Sequence, residues 1–186
     1  MEDRSLFRRP ENILRYEQEL SECRLVERDP VRIYSVSGNL LREYPDFCEI
    51  EIPESDRQVI RHQIMIQCHE SDVAFSKKDL LFAAEYQFSE IRLIGRSYIF
   101  SLKTTDRNWP DPESLARQYD EIDNSTDLVD LLERIRNSPE LLENSWDPEV
   151  DILQIRSDII CKKIAGIFHL DYCKAPYVGC YVFPKR

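Results

Sequence analysis

The chain has 186 residues, 42% of them hydrophobic and 10% aromatic, enough for one sizeable core and short for two. Thirty-five acidic against 25 basic residues give a net charge of -10, which argues against direct nucleic-acid binding, whose electrostatic footprint is basic. Only four glycines are present, against a usual share of roughly 7%, so glycine-rich loops that cradle phosphates have almost nothing to be built from.

Residues 1–10, MEDRSLFRRP, read as a mobile lead before one domain spanning 11–186. They lack an apolar run of signal-peptide length, and no later stretch approaches the roughly 18 apolar residues of a membrane span. The expectation is a soluble, intracellular, cytoplasmic protein. Asn12–Cys23 sets Ile13, Leu14, Tyr16 and Leu20 among charged residues and predicts a short helix. Arg32–Val36 alternates and runs into the turn signal Ser37-Gly38-Asn39. Cys48, Ile50 and Ile52 alternate with Glu49 and Glu51 up to Pro53, and Ile60, His62, Ile64, Ile66 and Cys68 repeat the pattern. These spacings favour short turns over helical crossovers, hence a mostly antiparallel sheet.

Ser76 with Asp79 in the first turn predicts a helix through about Gln87. The stretch Ser89–Thr104 is the clearest signal in the chain. Ile91 and Leu93 flank Arg92, and Tyr98, Phe100 and Leu102 alternate with Ile99, Ser101 and Lys103, which predicts two strands meeting at Gly95-Arg96. Asp111-Pro112-Glu113 opens a helix through about Tyr119, and Thr126 caps another carrying Leu128, Leu131, Leu132 and Ile135 at i, i+3, i+4 and i+7. Ser138-Pro139 starts a turn with Leu141 and Leu142, and Asp147-Pro148 closes this insert. Val150–Ile155 is either strand or helix front, Ser157-Asp158 caps a helix bearing Ile160, Ile164, Ile167 and Phe168, and Tyr177–Phe183 predicts a closing strand. The sum is an α+β fold: one domain with a mostly antiparallel sheet covered by helices.

Charge is segregated. Residues 105–151, the acidic helical segment, hold 14 acids and four bases, whereas residues 152–186 hold two acids and six bases. Asp120, Glu121, Asp123, Asp127, Asp130 and Glu133 form the candidate acidic face; Lys162, Lys163, Lys174, Lys185 and Arg186 form the candidate basic patch. A solvated surface and a docking face for a basic partner both follow from such a block. Head-to-tail contact between the two patches would give a weak homo-oligomer.

Catalytic and metal signals are sparse. Six cysteines (Cys23, Cys48, Cys68, Cys161, Cys173, Cys180) are scattered through an ordinary-sized core and predict thiols rather than a disulfide framework. Cys161, His169, Cys173 and Cys180 fit no common zinc spacing, and adjacent Cys68 and His69 would point to opposite faces of a strand. A cysteine hydrolase would need a thiol beside His62, His69 or His169 and an oxyanion site. A divalent-metal nuclease could draw on Asp111, Glu149, Asp151, Lys162, Lys163 and His62, although Asp111 is better explained as a helix cap. Asn124-Ser125-Thr126 matches a glycosylation acceptor but reads as a helix start.

The segments GRSYIFSLKTTDRNWPDPESL, LQIRSDIICKKIAGIF and YVGCYVF together resemble the matrix proteins of rhabdoviruses, in which a hairpin strand, an acidic connection, a C-terminal helix and a last strand follow in that order. The resemblance implies a viral, non-enzymatic assembly protein that condenses nucleocapsid, contacts membrane peripherally and self-associates, and that is found in the virion. Beside it, the residues themselves support a protein that works by protein–protein binding without a cofactor. A divalent-metal nuclease and a cytosolic adaptor or host-factor antagonist are the alternatives.

Overall fold

The structure, a computed structural model, describes residues 31–44, 52–69, 71–106, 108–138, 140 and 147–176. It begins with a hairpin. Strand β1, Val31–Tyr34, turns back at Ser35–Asn39 into β2, Leu40–Tyr44. Gly38 takes φ 91° in that turn, a region that costs glycine nothing. Helix α1, Glu54–Ile60, carries Glu54 and Asp56 in its first turn and leads to β3, Ile64–Cys68. Period two was read from Ile60 onward, yet Ile60 is the last residue of α1 and His62 reverses the chain at φ 58°. The alternation is genuine only from Ile64. Ile52 is buried but lies outside any strand, while the rest of the predicted strand at Cys48–Ile52 falls outside the described residues.

Helix α2, Lys77–Tyr86, starts at a capping box: the Ser76 hydroxyl accepts from Asp79 N, and the Asp79 carboxylate accepts from Ser76 N at 2.6 Å. Gln87 closes it in the left-handed conformation. Strands β4, Glu90–Ile94, and β5, Tyr98–Thr104, then form the expected hairpin. Because the predicted helix α2 carries the chain across the sheet, β3 and β4 are parallel, an exception within the mostly antiparallel sheet. All other neighbours are antiparallel, in the order β2-β1-β3-β4-β5-β6.

Helix α3, Pro112–Asp123, is capped by Asp111 with Pro112 at its first position, as the sequence indicates, and runs a turn past Tyr119. Helix α4, Thr126–Arg136, has Ser125 rather than Thr126 at its cap. Asp147-Pro148 opens a helix instead of closing a segment: Asp147 caps α5, Pro148–Phe168, by accepting from Glu149 N and Val150 N. Ser157 therefore sits mid-helix. It looks like a cap because its hydroxyl bonds backbone, but it accepts from Ala74 N across 83 residues and donates to Gln154 O. Strand β6, Leu170–Pro176, follows at once and pairs with β5 along its length. The predicted elements at Asn12–Cys23 and Tyr177–Phe183, the lead at 1–10 and the turn carrying Leu141 and Leu142 lie outside the described residues.

The architecture is α+β. All five described helices put side chains into one core on one sheet face, around Met65, Ile91, Leu93, Phe100 and Leu102. Trp109 seals the β5–α3 connection by donating its indole N–H to Phe88 O. The opposite sheet face holds a second buried cluster, Tyr34, Ile64, Ile66, Cys68, Ile94 and Ile99. No described helix is long and apolar enough to cross a membrane.

Candidate functional site

The acidic face divides by use. Asp120 receives the Lys77 ammonium at 2.7 and 2.8 Å, tying α3 to α2. Asp123 receives Arg156 in a two-pronged pair at 2.6 and 2.7 Å, tying α3 to α5 and holding the guanidinium above its ordinary pKa. Glu121 accepts from the neighbouring Gln118 amide. Asp127, Asp130 and Glu133 are exposed on α4, with Arg134 near them and Val129 43% exposed, and none of the three acids is ion-paired with a described residue. Two of the six acids thus act as internal clamps, and those on α4 face solvent.

The described lysines of the basic patch differ in how far they are engaged. Lys162 is held by Asp158 at 2.7 Å on the same helix, and Lys163 is exposed. Lys174 lies over the Tyr98 ring, 4.3 Å from its centre, as a cation on an aromatic face. Lys185 and Arg186 fall outside the described residues.

The nuclease set is dispersed. Asp111 spends its carboxylate on Ser114 N, Glu149 pairs with Arg136 across the α4–α5 gap, and His62 sits at the turn before β3. Among the described residues no three His, Cys, Asp or Glu side chains come together in a way that could hold a metal. Cys161 is fully buried and its thiol contacts Phe75 O, His169 caps α5 at φ 53°, and Cys173 is half-buried on β6. Burial pushes the Cys161 thiol pKa upward, opposite to what a nucleophile needs.

Sequence reading missed a cleft of about 660 Å³ at the β4–β5–β6 end of the sheet. Strand register builds it. Glu90, Lys103 and Asp171 form one cross-strand row, and Arg92, Ser101 and Cys173 form the next. The Glu90 Oε1 atom accepts from both Arg92 Nε and Ser101 Oγ, each at 2.6 Å, and all three residues are more than nine-tenths buried. Lys162 and Ala165 of α5 and residues from both faces of β6 complete the wall. The signal was present in the chain: Glu90 and Arg92 interrupt an apolar strand on the same face as Ser101 and Lys103. Only the pairing of three strands brings them together.

Comparison with protein-family models, with curated proteins and with solved structures finds no match to this chain.

Proposed function

We propose that the protein acts by binding, with the solvent-facing acids of α4 docking a basic protein partner. The observation carrying this reading is the division of labour among the acids: Asp120 and Asp123 are neutralised within the molecule on α3, whereas Asp127, Asp130 and Glu133 are presented outward on the next helix, α4. A charged surface mounted on a fixed helix steers encounter and sets register for a partner of opposite sign. A basic nucleocapsid is the partner class that the rhabdovirus matrix resemblance implies. A second copy is a poorer fit, because Lys162 and Lys174 are engaged within their own chain. The test is titration with a basic probe, oligolysine, from low to high salt. Binding should weaken steeply as the Debye length falls from about 10 Å at 0.1 M to about 3 Å at 1 M. Asp127→Lys with Asp130→Lys should abolish it without unfolding the domain. Binding indifferent to salt and to both reversals would overturn the reading.

A further inference from the structure

We infer that the sheet face opposite the helices is a docking surface for this chain's own N-terminal segment Asn12–Cys23, laid across it as an amphipathic helix. The face is apolar and closed. Ile66 and Ile94 on it are fully buried, and Tyr34, Ile64, Cys68 and Ile99 around them are less than a tenth exposed. Burial continues into the polar end of the same face, where Glu90, Arg92 and Ser101 are also more than nine-tenths buried. A sheet cannot hide its own face, so another layer must lie on it. Yet every described helix, α1 to α5, packs on the other side, around Met65, Leu93 and Phe100. The burial is that of one chain alone, so the covering layer is the chain itself, drawn from residues outside those described.

Connectivity leaves one stretch to supply it. Residues 45–51 join β2 at one sheet edge to Ile52, which belongs to the helix-side core, and the residues between α4 and α5 join two helices of that same side. The ten residues after Pro176 leave from the β6 edge. Their apolar side chains fall at both parities, Tyr177, Tyr181 and Phe183 against Val178, Cys180 and Val182, which suits a strand rather than a one-sided cover. The 30 residues before Val31 enter the sheet beside the centre of the patch, because Val31 is followed by Arg32, the cross-strand partner of Ile66. Within them Ile13, Tyr16 and Leu20 recur at i, i+3 and i+7 with Leu14 alongside, while Arg15, Gln18, Glu19 and Glu22 take the other side. A helix over Asn12–Cys23 extends about 18 Å, and the strands β1, β3, β4 and β5 span about 14 Å at ~4.8 Å per spacing. Residues 24–30 reach up to about 23 Å when extended, enough to bring the helix over Ile94.

Methyl NOEs in the full chain, selectively labelled at isoleucine, leucine and valine, test the assignment without a substitution. Ile13, Leu14 and Leu20 should show cross-peaks to Ile64, Ile66, Ile94 and Ile99, and none to Ile91 or Leu93 of the other face. A mixture of differently labelled copies should show these cross-peaks only within a copy. The double variant Ile13→Asp, Leu20→Asp should speed alkylation of Cys68, which lies on the covered face, at least about tenfold, while Cys161 of the helix-side core stays slow. Cross-peaks from Val178 and Val182 in place of those three residues, cross-peaks between copies only, or an unchanged Cys68 rate would overturn the assignment.

Discussion

The carboxylate of Asp72 occupies the space that a side chain on Gly95 would fill. Asp72 is buried and accepts from Ser97 N at 2.7 Å and from Tyr98 N at 3.1 Å, so it ties the loop before α2 to the β4–β5 turn. A Cβ at Gly95 would overlap that carboxylate and crowd the Ser71 carbonyl. Glycine is needed here for close approach, with an ordinary φ. Hydrogen bonds to a charged group contribute about 1.5–3 kcal/mol, and Asp72→Ala should cost that order in urea denaturation. Gly95→Ala should cost about 1–3 kcal/mol through overpacking, and less in the Asp72→Ala background, where the clash is gone. Equal costs in both backgrounds would refute the link.

Phe100 is fully buried in the helix-covered core, whereas Lys103 is exposed on the opposite face. Truncating a buried phenylalanine costs about 3–5 kcal/mol. Phe100→Ala should shift the unfolding midpoint severely or abolish folding, and Lys103→Ala should leave it in place. Similar small effects from both would contradict the facing described here.

The β4–β5 hairpin, the Ser76 capping box and the Asp111-Pro112 start were legible because each rests on neighbouring residues. The misreadings fell where the local pattern fitted more than one state. Ile60 keeps a two-residue rhythm with Ile64 through a helix end and a left-handed His62. Ser157 has the chemistry of a cap but spends it on Ala74 N. Strands β2 and β6 lie at the ends of the sheet, where half-exposed side chains blur the alternation. The cleft could not be seen from spacing at all, since Glu90, Ser101 and Asp171 meet only through register.

Thiol reactivity should follow burial. Cys68, Cys161 and Cys173 are outside any disulfide, and Cys161 is the least accessible. After denaturation without reductant, six thiols should titrate, matching the six cysteines of the chain. In the folded protein, alkylation mapped by peptide mass should reach Cys173 before Cys68 and Cys161. Recovery of two or fewer thiols, or early modification of Cys161, would count against this.

Tyrosine ionisation should mark an alkaline limit. Burial first, and then the neighbouring Asp123, pushes the Tyr119 phenol up to about 12. Burial and then Asp56 do the same for Tyr44, to about 12. The fold favours the protonated phenols, so their stabilising contribution is whole below the ordinary value of 10.0 and is lost as pH rises from there through about 12. Phenolate absorbance should rise late for these two residues, together with loss of tertiary circular dichroism. Tyr119→Phe should flatten part of that transition, and an unchanged profile would argue against its burial.

Strand β6 can join β5 only after all of α3, α4 and α5 have been made, because it pairs from Tyr98↔Pro176 to Thr104↔Leu170. During synthesis at about 5–20 residues per second, β5 would therefore wait on the order of 3–13 seconds with one side unpaired. An uncovered strand of this apolar character is a template for pairing with another nascent chain. Closing so long a loop is also entropically slow. Until β6 arrives, the hairpin at the heart of the sheet is also its most exposed margin for pairing with another chain.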